Sequence, residues 1–344
     1  MKKILLFLLA VPLVAFSMQE DFEILMGKET PGWKYVQTPE DIQRIQFFSD
    51  LFQKQACRCK SESNRIPKTI HFIWLGPQPF PQSSIERLEK WKSLHPNWKL
   101  KFWTDIDRDC PIEKMKKCFI SKFSMHMLQN EFDDSINFGE KAKILAYEIL
   151  WNEGGIYVDH DCVPFKAFDE LNSQFDFYCG LEKLGPSVLS SSVIPGTHII
   201  AAKPKHPILE ESIHWLKNHW YELEQNYPGQ SEVALANRVL HRTFWALSEG
   251  IDREIGKKDN VDVVFPSFYF SERYRKASSY AVHYHEAMWS HNPSKFEKKV
   301  QRQFTEMVKN DDEAVVITLF LAGVSFFACF ILVLYARGAR REAR

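Results

Sequence analysis

Apolar residues change between two spacings along the middle of the chain, and the change predicts a parallel α/β sheet. The run Thr69–Leu75 is dense in β-forming residues and ends at Gly76. Over residues 83–95, apolar side chains recur at the three- and four-residue spacing of a helix. A second strand is predicted over 98–103. A strand, a helix and a strand in this order imply parallel pairing through a right-handed crossover.

A second unit of this kind is predicted further along the chain. Apolar periodicity over residues 140–152 indicates a helix, and Gly154 and Gly155 end it by allowing positive φ. Residues 156–158 then predict a short buried strand. Residues 107–136 are predicted to form a mostly helical insertion between the two units.

Two carboxylates stand where that short strand ends. Asp159 and Asp161 share a face if the strand continues, because alternate side chains point the same way, and His160 then points oppositely. Two buried carboxylates on one side are costly unless a cation neutralises them. Mg²⁺ and Mn²⁺ accept such oxygen ligands and also hold a diphosphate. The pair predicts a metal site, with a solvated turn as the alternative.

The N-terminal stretch predicts export of the chain from the cytosol. Two lysines precede an apolar run over residues 4–16, and small residues follow it. This pattern is typical of a signal peptide over residues 1–17, and an uncleaved anchor is the alternative, for which the run is short. The next segment, residues 18–64, predicts a helical N-terminal extension.

The C-terminal stretch predicts a membrane anchor. Residues 314–335 carry no charged side chain and are long enough to cross a bilayer as a helix. A basic tail, residues 336–344, follows and belongs in the cytosol by the positive-inside rule. Residues 292–313 form a charged stalk before the span. The prediction is a single-pass membrane protein whose main domain lies on the extracytoplasmic or lumenal side.

Charge and cysteine content narrow the class further. The chain has 44 basic and 44 acidic residues and no basic stripe, which argues against nucleic acid as a partner. Its 27 Phe and 10 Trp indicate a rich core, with sugar-stacking surfaces as the sharper interpretation. In an oxidising compartment four cysteines would make two disulfides, although a zinc site is the alternative. These cysteines are Cys57, Cys59, Cys110 and Cys118.

Two motifs carry a resemblance to a known family. Residues 154–161 read Gly-Gly-Ile-Tyr-Val-Asp-His-Asp, and residues 66–76 open the domain with Ile-Pro-Lys-Thr-Ile-His-Phe-Ile-Trp-Leu-Gly. Both resemble motifs of the DXD-containing glycosyltransferases, closest to the yeast-type initiating α-mannosyltransferases and bacterial capsule sugar transferases. The clostridial glucosylating toxins are more distant. The resemblance implies a GT-A-like nucleotide-sugar-binding sandwich over residues 65–291, with a mostly parallel central sheet.

The resemblance also implies roles for particular residues. Asp159 and Asp161 would be catalytic, and Asp161, Asp159 and His283 would hold Mn²⁺ or Mg²⁺, with His285 a weaker candidate. The residues expected to contact the nucleotide sugar are Ile73, Trp74, Leu75, Lys143, Tyr147, Gly155, Tyr157, Asp159, Trp289 and Ser290. On position alone, Glu182 and Asp176 are candidate polar groups near the acceptor.

One helix departs from the family pattern. Lys143 stands where the family has an Asp, and Ala146 stands where it has an Arg. A lysine reproduces neither the carboxylate nor the bidentate guanidinium. Lys143 would either contact a phosphate from a new position or mark an altered activity.

The sequence therefore predicts a metal-dependent glycosyltransferase. It would move a sugar from a nucleoside-diphosphate sugar to a hydroxyl of a glycan, lipid or protein, with retention of configuration as the resemblance implies. The alternative is a membrane-tethered carbohydrate-binding or interaction protein with a degenerate fold. A hydrolase that uses Asp159 and Asp161 as acid and base is disfavoured, because carboxyls two residues apart lie too close together.

Overall fold

The computed structural model describes residues 21–56, 65–185, 191–229, 232–257, 259–272 and 275–286. No helix within these ranges has the length and apolar character needed to cross a bilayer. Several predictions fall outside the described residues: the signal peptide over 1–17, the stalk over 292–313, the span over 314–335, the tail over 336–344, and the roles of Cys57, Cys59, Trp289 and Ser290.

Strands and helices alternate through most of the described chain. The strands are β1 Thr69–Ile73, β2 Lys99–Thr104, β3 Lys116–Phe119, β4 Gly155–Val158, β5 Cys162–Pro164, β6 Phe177–Leu181, β7 Pro195–Ala202, β8 Asp262–Phe265 and β9 Ala281–His283. The α-helices are α1 Phe22–Leu25, α2 Pro39–Ala56, α3 Gln82–Leu94, α4 Gln129–Asp134, α5 Phe138–Glu153, α6 Asp169–Gln174, α7 Pro207–Asn226, α8 Glu232–Leu240 and α9 Ala246–Glu254. A π-helical segment, His241–Trp245, joins α8 to α9.

The strands of the described residues form one large sheet and one small one. The large sheet has the order β3-β2-β1-β4-β7-β6-β8. Its first four strands are parallel, β7 is antiparallel to both neighbours, and β8 is parallel to β6. The predicted α/β architecture with a mostly parallel sheet is confirmed. The small sheet pairs β5 with β9 and sets Cys162 opposite His283.

The core lies on both faces of the large sheet. Every residue of β4, β6, β7 and β8 is buried, as is expected of strands covered on two sides. Helix α5 packs against β1, β4 and β7. Asn137 caps its N-terminus, because Asn137 Oδ1 accepts from the N–H groups of Gly139 and Glu140 at 2.8 and 3.0 Å. Gly154, at φ +66°, ends the helix and turns the chain into β4.

The region over 107–136 differs from the prediction of a mostly helical insertion. It contains the edge strand β3, a single 3₁₀ turn and the short helix α4. The side chain of Glu148, on α5, holds the irregular backbone of residues 126–128 in place. Its carboxylate accepts from the backbone N–H groups of His126, Met127 and Leu128 at 2.7 to 2.8 Å, so these groups need no helix. Cys110 and Cys118 are free thiols, so they form no disulfide.

The N-terminal helices complete the core beside the far edge of the sheet. Phe52 of α2 packs edge-on against Phe265 of β8, with ring centroids 6.0 Å apart. Arg44 donates to the carbonyl of Val193 at 2.8 Å, and Asp41 accepts from Ser191 Oγ at 2.7 Å. These contacts make residues 21–56 part of the same packed body as the sheet.

Gly155 gives a prediction about stability. Its φ is +104°, and a Cβ there would lie 2.7 Å from the carbonyl oxygen of Thr69 on the neighbouring strand. We expect Gly155→Ala to lower the free energy of unfolding by more than about 2 kcal/mol, because strain and a backbone clash combine. Urea unfolding followed by circular dichroism measures the loss.

Gly229 offers a matched control for that substitution. Its φ is +85°, and no described atom lies within 4 Å of a Cβ built there. Gly229→Ala therefore introduces the backbone strain without the clash, and we expect a loss of about 1 kcal/mol. Equal losses for the two variants would contradict the packing role of Gly155.

Candidate active site

A large cavity opens at the carboxyl ends of β1 and β4, where ligands bind in open α/β sheets. It has a volume of about 1250 Å³, counted out to its open mouth. The floor comes from the strand ends, and the walls come from the start of α5, the π-helical segment and the chain after β9. The lining residues are Ile73, Trp74, Leu75, Gln78, Phe138, Gly139, Ala142, Lys143, Tyr157, Asp159, His160, Asp161, Glu182, Thr197, His198, Val239, Leu240, Thr243, Phe244, His283 and His285.

Several residues predicted to contact a nucleotide sugar line this cavity. Ile73, Trp74 and Leu75 form one wall at the end of β1. The Trp74 ring is held by its Nε1–H, which donates to the carbonyl of Gln78 at 2.8 Å, and by edge-on contacts with the rings of Phe80 and His160. This wall is apolar and rigid, which suits a base or a sugar ring.

Two other residues predicted to contact the nucleotide sugar, Tyr147 and Gly155, do not line the cavity. Tyr147 is fully buried, and its hydroxyl donates to the carbonyl of Thr243 in the π-helical segment. A π segment leaves backbone groups without their usual helical partners, and Tyr147 satisfies one of them. Gly155 packs against Thr69 and His71. Tyr147 therefore supports the π-helical segment that lines the cavity, whereas Gly155 lies at the start of β4, the end of the strand away from the cavity.

The predicted strand geometry at the carboxylate pair is wrong in detail. Strand β4 ends at Val158, and residues 159–161 form a turn that is closed by the Cys162 N–H donating to the Asp159 carbonyl at 3.1 Å. The turn nevertheless brings Asp159 and Asp161 to one side, and both face His283 of β9. The pairing of β5 with β9 does this, because His283 sits opposite Cys162.

Asp159 is neutralised from within the chain. Lys143 Nζ lies 2.6 and 2.8 Å from its two carboxylate oxygens and 2.8 Å from the carbonyl of Thr197. The Tyr157 hydroxyl also donates to Asp159. Burial together with this neighbouring carboxylate raises the pKa of Tyr157 well above its usual value, so the phenol stays a donor. Lys143 is thus a partner of the carboxylate pair.

Asp161 is held by a different set of donors. Its Oδ1 lies 3.1 Å from His283 Nε2, and its Oδ2 accepts from the Glu286 N–H at 2.7 Å. Burial would raise the pKa of Asp161, but His283 and the Glu286 N–H hold it well below its usual value. Burial would also lower the pKa of His283, yet Asp161, supported by Asp159, raises it. The carboxylate is therefore ionised in its buried position.

A second group of polar side chains lies behind His283. Glu182 follows β6, and its Oε1 is 3.1 Å from Nδ1 of His198 on β7. Burial would raise the pKa of Glu182, but His198 lowers it to about 2. The His198 ring stacks on the His283 ring with centroids 4.6 Å apart, and the His285 ring lies on His283 at 4.0 Å with its plane tilted by 48°. Burial and the neighbouring His283 lower the pKa of His285 well below its usual value.

The sequence indicated only part of this group. His283 and His285 are flagged by their i, i+2 spacing, and Glu182 by its place after a strand. His198 is missed, because nothing nearby in the sequence distinguishes it from a core histidine. Asp176 lies at the other end of β6, where it binds Arg65 and Lys203, so it is not near the cavity.

The two departures on α5 have different structural contexts. Lys143 reaches the cavity, whereas Ala146 is 1% exposed in the core. An arginine at position 146 would need space that the packed core does not offer. The core of this chain is therefore packed around a small residue at position 146.

Comparison with known proteins agrees with the motif. Residues 81–178 match the family described as "Glycosyltransferase sugar-binding region containing DXD motif". Inositol phosphoceramide mannosyltransferase 1 of Schizosaccharomyces pombe is 26% identical over 178 residues, which are 48% of this chain and 48% of that protein. Subversion of eukaryotic traffic protein A of Legionella pneumophila is 31% identical over 128 residues, 33% of this chain and 20% of that protein. The match thus spans less than half of the length of either relative.

A solved structure is similar to this chain over part of its length. The PaToxG glycosyltransferase superposes with a TM-score of 0.42 and 16% identity, covering 62% of this chain and 78% of that one. The predicted resemblance to the DXD glycosyltransferases is confirmed by the match over residues 81–178. The matched region contains Lys143, Asp159 and Asp161.

The ion pair of Lys143 and Asp159 generates a prediction about cation binding. Asp159 and Asp161 both face His283, and a divalent ion bound at this place would compete with the Lys143 ammonium. We expect Lys143→Met to tighten Mn²⁺ binding by up to about tenfold, because a positive charge a few ångströms away is removed. Electron paramagnetic resonance of free Mn²⁺ measures the affinity.

Two variants control for that experiment. Lys143→Arg keeps the charge and is expected to bind Mn²⁺ like the wild type. Lys141→Met removes a lysine of the same helix whose Nζ lies over the Phe132 ring, away from the carboxylates. Weaker Mn²⁺ binding in Lys143→Met than in Lys141→Met would contradict the competition.

Proposed function

We propose that this protein transfers a sugar from a nucleoside-diphosphate sugar to a hydroxyl acceptor. The observation that carries the proposal is the position of Asp159 and Asp161 at the floor of a large cavity, inside the segment that matches the glycosyltransferase family. An apolar wall from the end of β1 adjoins the pair and suits the base and ribose of a nucleotide. The GT-A assignment of the fold belongs to this proposal.

The residues present fit a divalent ion at the carboxylate pair. His283 Nε2 lies 3.1 Å from Asp161 and 3.8 Å from Asp159, so one nitrogen and two carboxylates converge. This mixed donor set favours Mn²⁺ over Mg²⁺. Asp161, Asp159 and His283 would hold the ion, which when bound supplies charge neutralisation for the leaving diphosphate.

The chain's own side chains supply the rest of the site's electrostatics. Lys143 places a fixed ammonium beside Asp159, within the cavity where a donor diphosphate would lie. Its partial neutralisation of the pair lets a dianionic group approach with less repulsion. Tyr157 holds Asp159 in orientation, and the Glu286 N–H does the same for Asp161. We name no general base, because the retaining transfer that the resemblance implies needs no obvious one.

The relatives supply candidate substrates for testing. Two of them are named as mannosyltransferases that act on inositol phosphoceramide. A hydroxylated lipid headgroup is therefore a first acceptor to test, together with glycan and protein acceptors. Phe138 and Phe244 form a second apolar part of the cavity wall, apart from the wall at the end of β1. This second part is consistent with an acceptor that carries apolar surface.

The topology of the chain is also proposed from its sequence. The uncharged run over 314–335 and the basic tail after it support an anchor in the membrane. The cavity would then face the extracytoplasmic or lumenal side. Protease protection of an epitope placed after residue 344, in sealed vesicles, tests this orientation.

A binding protein without turnover is the second candidate. The ion pair between Lys143 and Asp159 favours it, because one carboxylate of the motif already has a cation. The retained, ionised Asp161 favours the enzyme, because a bare scaffold has no use for a buried carboxylate at a cavity floor.

Nucleotide release decides between the two candidates. We expect the whole chain to release nucleotide from one of a panel of UDP- and GDP-sugars in the presence of Mn²⁺, and EDTA to abolish the release. Asp161→Asn should lower the rate by at least about a hundredfold, because a charged group that acts on the leaving diphosphate is lost. A coupled assay for free nucleoside diphosphate measures the rate.

Asp133→Asn is the matched control, since Asp133 is an exposed residue of α4 bonded to Gln129. It should leave the rate unchanged. If the folded wild-type chain binds Mn²⁺ and a nucleotide sugar but releases no nucleotide from any donor or acceptor combination, the binding-protein function is the correct one.

A further inference from the structure

We propose that Glu182, His283 and His285 form a second metal site, distinct from the Asp159–Asp161 pair, which takes a borderline transition-metal ion such as Zn²⁺. Each of the three side chains offers one ligand atom, and these atoms lie within 4.8 Å of one another. The ligands come from the end of β6 and from β9 with the residue two positions beyond it. The proposal does not depend on transferase activity.

Three buried polar atoms without a hydrogen-bond partner mark the place of the proposed ion. Glu182 Oε2, His283 Nδ1 and His285 Nε2 are all buried and have no hydrogen-bond partner within the part of the chain that the structure describes. Glu182 is 2% exposed and His283 is 9% exposed. Buried polar atoms without partners cost free energy and are rare. One cation would satisfy all three atoms together, since each carries a lone pair that a metal accepts.

The outer contacts of these side chains are those that metal ligands have. A histidine that binds a metal through one nitrogen usually donates its other N–H to a carboxylate, and His283 Nε2 lies 3.1 Å from Asp161 Oδ1. A metal-binding carboxylate is usually hydrogen-bonded as well. Glu182 Oε1 is held by His198, whose Nε2 lies 3.1 Å from Ser271 Oγ. The atom of each side chain that has no hydrogen-bond partner among the described residues is therefore the one available to the proposed ion.

The backbone at His285 adds an independent observation. Its φ is +52°, a left-handed conformation that a non-glycine residue adopts at a cost. The next residue is fixed, because the Glu286 N–H donates to Asp161 and its carboxylate binds Arg87. Backbone strain of this kind clusters at functional sites. In this conformation the imidazole of His285 lies 4.0 Å from that of His283, measured between ring centroids.

The donor set determines the class of ion. Two imidazoles and one carboxylate are the ligands of catalytic zinc sites and of related transition-metal sites, whereas Mg²⁺ and Ca²⁺ prefer oxygen alone. His283 lies between this site and the carboxylate pair. When the carboxylate pair holds no ion, zinc bound through Nδ1 leaves the proton on Nε2, and His283 donates to Asp161. An ion at the pair would take Nε2 in place of that proton. The second site would therefore orient Asp161 without contacting a substrate.

Zinc binding to the whole 344-residue chain tests the proposal. Zn²⁺ alone is titrated calorimetrically, and Co²⁺ is used as a visible probe of nitrogen coordination. We expect Glu182→Gln and His285→Asn each to weaken Zn²⁺ binding by more than about tenfold. Asparagine is chosen at position 285 because it tolerates positive φ. Asp159→Asn, which alters only the carboxylate pair, should retain the zinc site.

His214→Asn is the control, since His214 is an exposed histidine of α7. It should bind Zn²⁺ like the wild type. Unchanged Zn²⁺ affinity in both Glu182→Gln and His285→Asn overturns the proposal, as does an equal loss in Asp159→Asn. Circular dichroism establishes that each variant is folded.

A measurement on the wild type avoids reliance on variants. X-ray absorption of the zinc-loaded chain should show imidazole scattering from two histidines, and oxygen-only coordination would overturn the site. The result is separable from the proposed transfer reaction. Nucleotide release that persists when no zinc is bound leaves the transferase proposal intact, and zinc binding without nucleotide release leaves this one intact.

Discussion

The two carboxylates at the end of β4 impose the constraint on which the rest of the site depends. Asp161 is buried and Asp159 is half-buried beside it, so their negative charge needs compensation from the protein or from an ion. The chain supplies two separate partners, an ammonium from α5 for Asp159 and an imidazole from β9 for Asp161. The N-cap of α5, the glycine turn before β4 and the pairing of β5 with β9 all serve to bring these partners to the same few ångströms.

The small sheet is what closes the site. Strand β9 is remote from the carboxylates in sequence, and its antiparallel pairing with β5 sets His283 beside the turn. The chain then returns to Asp161 through the Glu286 N–H and is secured to α3 by the ion pair with Arg87. One short strand thus fixes a ligand, a hydrogen-bond donor and the strained residue His285. The chemistry at the floor depends on this long-range contact, which forms only when the whole domain is folded.

Much of the fold and the centre of the site could be predicted because their signals are local. The strand over 69–73, the helix before Gly154 and the carboxylate pair each have a periodicity or a motif within a few residues. The segment over 107–136 could not be predicted in this way, since the Glu148 carboxylate of a later helix replaces its helical hydrogen bonds. His198 was missed for a similar reason. Its contact with Glu182 exists only because β7 pairs with β6, and the sequence around His198 does not show this. The sequence showed an unusual lysine at position 143, but it did not show that this lysine pairs with Asp159.

That partner changes what the departure at Lys143 means. A lysine in place of an acidic residue would leave an unpaired charge if the rest of the site had not changed with it. Here the ammonium binds both oxygens of Asp159 and a backbone carbonyl, which satisfies all three of its N–H donors. A group so fully satisfied contributes to the fold of the turn as well as to its charge. Position 143 therefore supplies a counter-ion, and any phosphate that enters the cavity meets a carboxylate pair already half neutralised.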